Sequence, residues 1–315
     1  MRIENRMLNK VEAYVKHKNS TGIKFDGFAY TLRSFAKYAD RHYPGKPLTI
    51  SLALQWVAKS PHLAPATRLA YYSALRGFAK YLKLNDAKTE LIPKNIYTAW
   101  FKRVTPYIYS EQEISIIMTT SSSECTNKFN TLTQKTVVGL LYSTGMRIGE
   151  VLALRKNDVD LKNGIITVRQ FKKMPMRLIP VSESVLAKLV EYDRKRRELR
   201  ASSKDGSFFL TTKGRTVSYA SFHGMWKRIL AKTGIGEGKT IPRIHDLRHT
   251  FACNHLLRAY KENRDINEAV YTLSVYLGHT VIAGTYWYLS ATPELLEQCV
   301  KRVEKSLLKR KKSES

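Results

Sequence analysis

The sequence predicts a mainly α protein in two parts, a helical N-terminal domain followed by an α/β domain with a small antiparallel sheet. Apolar residues recur at helical spacing through the first hundred positions. The pattern breaks around residues 91–109, where Pro93 and Pro106 stand. Beyond the break, two short β-branched runs, 164–169 and 178–181, flank a polar turn. The boundaries that follow are residues 1–103 for the first domain and 104–315 for the second, with a linker at about 91–109.

In the first domain, helices are expected at about 3–18 and 50–59, with Pro44, Pro47, Pro61 and Pro65 punctuating the gaps. Phe28, Leu32, Phe35 and Ala39 form one apolar face, and Arg33, Lys37 and Arg41 form a cationic stripe at i, i+4, i+8. The design recurs with Leu69, Tyr72, Leu75, Phe78 and Leu82, beside Arg76, Lys80 and Lys83. A single stripe of this kind reads as a solvated face. Two stripes in a domain with 19 Lys and Arg against 6 Asp and Glu, a net +13, point to helices lying against phosphates.

The second domain opens with Ser110-Glu-Gln-Glu113, a capping-box pattern. A polar loop is expected over 119–130, then an apolar helix over 132–142 stopped at Gly145, immediately before Arg147-Ile-Gly-Glu150. The two β-branched runs read as antiparallel strands joined by a turn carrying Lys172 and Lys173. After them come an amphipathic helix from Ser182 and a basic run, 194–204, expected to be solvated. A short third strand is expected at 207–210 and a helix at about 218–232. A last helix starts at Pro293, with Leu296, Val300, Val303 and Leu307 on one face and a basic tail behind it.

Composition narrows the function. The 315 residues carry 54 Lys and Arg against 26 Asp and Glu, a net charge of +28. The second domain contributes +15 of this, so both parts are basic, and a polyanion is the expected partner. With 43% hydrophobic residues and 10% aromatics the chain is not a disordered polycation, and a ribosomal or general nucleoid protein rarely needs 18 Tyr and 4 Trp. Cys125, Cys253 and Cys299 are isolated, without zinc spacing. No apolar run suits a signal core or a membrane span, so no membrane partner and a cytoplasmic location are expected.

The chemistry concentrates in residues 244–289. His245 and Arg248, spaced i, i+3, share a helix face, and Leu277-Gly-His279 precedes Tyr288 by nine residues from the histidine. Two imidazoles, arginines and a tyrosine are what a metal-free phosphoryl-transfer site would use. Gly236-Glu-Gly238-Lys239-Thr240 is not a phosphate-binding P-loop, since the earlier glycine is absent and Ile-Pro242 follows. His245 and His249 have zinc-ligand spacing, but the general-base glutamate of zinc proteases is missing and Arg248 would oppose a dication.

These segments, in this order, resemble the tyrosine recombinases of phage integrase, Xer and Cre type. The resemblance spans the whole chain. It is most specific at Thr144-Gly-Met-Arg147-Ile-Gly-Glu150, at His245-Asp-Leu-Arg248-His-Thr-Phe-Ala, at Leu277-Gly-His279 and around Tyr288. It implies a SAM-like core-binding domain ahead of a catalytic domain. By position it implies that Arg147 and Arg248 are the catalytic arginines, His245 the paired histidine, and His279 the residue that is His or Trp in the family. Glu150 would brace Arg147, Lys172 would be the hairpin lysine with Lys173 one residue off register, and Tyr288 rather than Tyr286 would be the nucleophile.

What the resemblance implies is strand exchange on double-stranded DNA through a 3′-phosphotyrosine, with no cofactor, neither metal nor nucleotide. It also implies a homo-oligomer, a tetramer on synapsed DNA with exchange of the C-terminal helix, and accessory proteins in some systems. The ending after Tyr288 looks like integrases of mobile elements. A nest of cations is expected to favour the Tyr288 phenolate. A type IB topoisomerase shares this chemistry without a compact core-binding domain. A catalytically silent DNA-binding relative, a repressor or accessory factor, would not keep every active-site position filled. A metal-dependent transposase would need a carboxylate cluster that this acid-poor chain does not show.

Overall fold

Why the chain breaks into these helices is visible at their ends. In the computed structural model, residues 6–21, 25–59, 62–94, 105–124, 127–169, 176–199, 206–237, 241–290 and 292–313 are described. The chain divides into two compact units, 1–103 and 104–315.

The first unit holds α1 (Arg6–Ser20), α2 (Asp26–His42), α3 (Ile50–Ala58) and α4 (Pro65–Lys83). Asp40, buried on α2, accepts from the backbone N–H groups of Met7 and Leu8 at 2.8 and 3.0 Å. A carboxylate thus satisfies the orphan donors at the start of α1 and ties two helices together. Thr49 caps α3 through its hydroxyl, and Pro65 opens α4 where no N–H is needed. Leu32, Phe35, Trp56, Tyr72, Leu75 and Phe78 form the core. Phe28, in the first turn of α2, departs from the expected face and is exposed, with Phe25 against its ring.

The second unit begins with α5 (Glu111–Glu124), whose capping box is formed: Ser110 Oγ accepts from the Glu113 N–H at 3.2 Å and Glu113 Oε2 from the Ser110 N–H at 2.8 Å. The expected polar loop at 119–130 is shorter than its composition suggests, since α5 runs to Glu124 and α6 (Lys128–Thr144) starts at an Asn127 cap. Ser121 is buried and donates back to the Ile117 carbonyl at 2.7 Å, so its hydroxyl is satisfied inside the helix. α7 (Ile148–Leu152) follows the left-handed Gly145.

The sheet is antiparallel with order β1-β2-β3, where β1 is Val159–Asp160, β2 Ile165–Val168 and β3 Arg177–Pro180. Ile166 pairs with Ile179, and both are buried. The two expected strands are therefore paired as read, but the turn lysines Lys172 and Lys173 lie outside the described residues. The third strand is not 207–210. That segment makes only isolated bridges, Arg155 with Ser207 and Leu210 with Thr216, and β1 completes the sheet. Its apolar run is explained by burial, Phe208 and Phe209 packing on Tyr192 of α8 (Glu183–Glu198). The basic run on α8 is not uniformly solvated either. Arg196 is buried, ion-paired to Asp193 at 2.5 Å and donating to the Phe208 carbonyl at 3.2 Å.

The rest is helical: α9 (Tyr219–Thr233), α10 (Asp246–Lys261), α11 (Ile266–Leu277), α12 (Ala283–Tyr286), a 3-10 turn at Trp287–Ser290, and α13 (Pro293–Ser313). One core joins α5, α6, the sheet, α8 and α9. A second gathers Leu256, Val270, Leu273, Leu277, Tyr288 and Leu295. Among the α13 side chains that are described, Leu295 is buried while Leu296, Val300 and Val303 are exposed; Leu307 of the expected face lies outside them. Among the described residues no helix is long and apolar enough to cross a membrane.

Candidate active site

Four chain segments converge in the second unit: the α6–α7 junction, the start of α10, the end of α11 and the 3-10 turn. Gly145 ends α6 with φ +61°, turning the chain so that Arg147 stands at the head of α7. A Cβ at Gly145 would lie 2.5 Å from Phe251 Cδ1 and 3.0 Å from Leu277 Cδ2, so only glycine fits.

Arg248, 2% exposed, draws the segments together. Its Nη1 donates to the Gly145 carbonyl at 2.8 Å and its Nη2 to the Leu277 carbonyl at 2.7 Å. Both acceptors are carbonyls that helix ends leave without intrahelical partners. Burial lowers the guanidinium pKa, and Arg147 nearby lowers it further, to about 10; it is still a cation at neutral pH. Each terminal nitrogen keeps a second N–H, and Nε keeps its own, for another ligand.

Glu150 organises the other arginine. Its Oε1 accepts from Arg147 Nη1 at 3.0 Å, and its Oε2 from the Arg147 backbone N–H at 2.9 Å and from Arg177 Nη2 at 2.6 Å. Burial works to raise this carboxyl, but Arg177 and Arg147 outweigh it and hold it below the usual carboxylate range. Arg147 is held by its root and remains a third exposed, open to an incoming anion.

Three histidines surround the pair of arginines. His279 follows the left-handed Gly278 that caps α11, and its Nδ1 meets Thr285 Oγ1 at 2.6 Å. His245 sits at the N-terminus of α10 with its ring edge-on to His249 at 4.8 Å. Desolvation, then nearby positive or imidazole groups, lowers all three to about 4, so the imidazoles are neutral at pH 7. For His245 and His279 the strongest influence after burial is the positive charge of Arg248, followed by that of Arg147.

Tyr288 lies in the 3-10 turn, 3% exposed, stacked at 6.2 Å on His279. His249 Nδ1 is 3.2 Å from its hydroxyl, and the positive charge of Arg248 acts on it. The expectation that cations would favour the phenolate is corrected here. Burial raises the phenol pKa above its ordinary value, and Arg248 and Arg147 offset that only in part. Tyr286, the other candidate, is exposed and its hydroxyl faces Asn267 Oδ1 at 3.4 Å.

The structure thus brings Arg147, Glu150, His245, Arg248, His279 and Tyr288 to one place. Among the described residues no three His, Cys, Asp or Glu side chains gather to hold a metal ion. Asp246, beside the histidines, is fully buried and forked onto Arg243 at 2.8 and 3.1 Å.

Residues 108–294 match the phage integrase family. A putative integrase/recombinase, y4rE of Sinorhizobium fredii, is 33% identical over 93% of this chain and 94% of its own length. The chain belongs to the phage integrase family. It is a tyrosine recombinase, an enzyme of site-specific DNA recombination, as is the XerA of Thermococcus kodakarensis by name, 26% identical over 95% of this chain and 96% of the relative. Solved members share the fold. The XerH recombinase bound to palindromic difH matches with TM-score 0.64 at 20% identity, covering 89% of this chain and 79% of that one. The lambda integrase dimer on a COC′ core site matches with TM-score 0.61 at 17% identity, over 89% and 76%.

The family segments of the sequence were legible, but two site residues were passed over. The sequence alone assigns Arg177 no role, and His249 reads there only as a zinc-spaced histidine. Both had a signal. His249 lies i, i+4 from His245 on one helical face, and Arg177 opens the strand that returns from the turn.

In the first unit, Arg33 is forked onto Glu12 at 2.7 and 2.9 Å, and Lys83 Nζ donates to the Ala87 carbonyl at 2.7 Å. Lys37, Arg41 and Lys80 are exposed, and Arg76 is half-buried.

Proposed function

We propose that Tyr288 attacks a phosphodiester of double-stranded DNA, forming a 3′-phosphotyrosyl link and releasing a 5′ hydroxyl, and that a 5′ hydroxyl of the partner duplex reverses the step. The observation that carries this is the Tyr288 hydroxyl, buried beside Arg248 and His249 and within the field of Arg147. Charge developing on the non-bridging oxygens would be met by Arg147 and by the free N–H groups of Arg248, with His245 and His279 adding neutral donors. Lys172, which falls between β2 and β3 in the sequence, is the acid proposed for the departing 5′ oxygen. The phosphodiester energy stays in the tyrosyl bond, so the exchange calls for neither a nucleotide nor a metal.

The first unit would clamp the duplex through Lys37, Arg41, Arg76, Lys80 and the solvent-facing side of the Arg33–Glu12 pair, with the basic balance of the sequence in support. XerH and the Tn1549 transposon integrase, whose structures are complexes with DNA, support DNA as the partner and a mobile-element setting. The exposed Leu296, Val300 and Val303 on α13 favour docking of this helix on a neighbouring subunit in a synaptic tetramer.

The test is to trap the intermediate. The protein is incubated with nicked duplexes taken from the DNA flanking its gene, and denaturing gels with mass spectrometry locate the adduct. An adduct at Tyr288 is expected, and Tyr288→Phe should keep DNA binding and lose it. An adduct at Tyr286, or recombination by the phenylalanine variant, would overturn the assignment.

A further inference from the structure

We propose that His249, not His245 or His279, takes the proton from Tyr288 as it attacks, within a chain Arg243–Asp246–His249–Tyr288. This rests on Tyr288 being the nucleophile. Of the three imidazoles, His249 is the one placed on the reacting oxygen, 3.2 Å from Nδ1. His279 spends Nδ1 on Thr285, and His245 meets His249 edge-on.

The tautomer follows from the neighbours. The arginines near the Tyr288 oxygen, Arg248 and Arg147, can only donate, so the phenol's own hydrogen needs an acceptor, and Nδ1 of His249 supplies one. The other ring nitrogen, Nε2, lies 4.0 Å from Asp246 Oδ1. That separation is too long for a hydrogen bond, but an attraction at this range favours the hydrogen on Nε2. Asp246 is fully buried and fixed by Arg243 on both oxygens. The result is the acid–histidine–hydroxyl order by which a hydroxyl nucleophile is activated elsewhere.

In the step, the Tyr288 O–H bond breaks and its proton moves to Nδ1, giving an imidazolium that Asp246 stabilises. The phenol oxygen bonds to phosphorus, and the P–O5′ bond breaks with a proton from the hairpin acid. The groups facing the His249 ring are His245, Asp246 and Arg248 on α10, Arg243 before it, and Trp287 and Tyr288 from the 3-10 turn. Desolvation first, then His245, holds the imidazole near 4, and Asp246 works the other way; it is therefore neutral and able to accept at physiological pH.

The experiment measures adduct formation on nicked duplexes from the gene-flanking DNA, against pH, for the full-length chain and for His249→Ala, His249→Gln and Tyr288→Phe. The His249 variants should bind DNA normally and slow adduct formation about 100-fold or more at pH 7. Their rates should then climb with pH as hydroxide removes the phenol proton, and a fluorinated, more acidic tyrosine at position 288 should restore His249→Ala. A His249 variant with the unaltered rate and pH profile would sink the inference while leaving Tyr288 in place. So would a slow variant that neither alkaline pH nor the fluorotyrosine rescues, which would mark a structural role. An adduct formed by Tyr288→Phe would instead overturn the nucleophile itself.

Discussion

Arg177 and Glu150 are joined 2.6 Å apart in the interior, one from the strand that leaves the β2–β3 turn and the other from the helix behind Arg147. The carboxylate is 5% and the guanidinium 10% exposed, so neither charge is well solvated. Arg177 Nε is also buried without a partner, which makes Glu150 its principal compensation. Removing one member should cost about 3–5 kcal/mol, because the other is left buried and alone. Glu150→Ala is therefore expected to shift the urea midpoint strongly. The double replacement Glu150→Leu with Arg177→Met should recover most of the stability but not adduct formation, since Arg147 has lost its anchor. Recovery of both would show that the pair only holds the fold.

Gly145 and Gly234 both end helices at nearly the same φ, +61° and +64°, and make a controlled comparison. Alanine at either carries about 1–2 kcal/mol of left-handed strain. At Gly234 a Cβ meets only the Glu237 carboxylate at an ordinary 3.5 Å. At Gly145 it strikes Phe251, and the carbonyl that anchors Arg248 must move with it. Gly234→Ala should cost about 1 kcal/mol and leave recombination intact, while Gly145→Ala should cost more and abolish the adduct. Equal effects in a paired melt and trapping assay would contradict this.

Arg248→Lys keeps the charge and loses the fork. A single ammonium nitrogen lacks the spread of the two guanidinium nitrogens that reach the Gly145 and Leu277 carbonyls, so a buried acceptor should be left poorly paired at a cost of about 1–3 kcal/mol. The variant should melt earlier and show sharply reduced adduct formation even at temperatures where it is folded. Normal trapping kinetics in the lysine variant would mean that charge alone suffices.

Periodicity read the helices well wherever one face met a core, as with Leu32, Phe35, Tyr72, Leu75 and Phe78. It failed where tertiary packing set the outcome. The Ser- and Thr-rich 119–124 stretch is helical, and the hydroxyls of Thr119 and Ser121 are satisfied by bonding back to carbonyls of α5. Phe208 and Phe209 looked like a strand, yet what they supply is buried bulk against Tyr192. The site's members were visible as motif letters, but their partners were not. That Asp246 belongs to Arg243, or that His249 reaches across to Tyr288, depends on where the 3-10 turn lands, 39 residues further on.

Acid should unfold this site before the rest of the second unit. His249 and His279 sit near 4 in the folded chain against 6.5 when free. Between those values the unfolded chain binds more protons, so stability rises with pH through the window and is lost as pH falls from about 6.5 towards 4. For His249, whose side chain is 13% exposed, the share is of order 2 kcal/mol. Urea titrations at pH 7, 5.5 and 4.5 should show the loss, and His249→Gln should flatten the curve by its own part. A phosphate brought against the His245 and His279 rings works the other way, since an anion favours the imidazolium. DNA binding measured between pH 5 and 6.5 should therefore take up protons and tighten as pH falls. Binding with no proton uptake in calorimetry across buffers of different ionisation heat would place the phosphate away from these histidines.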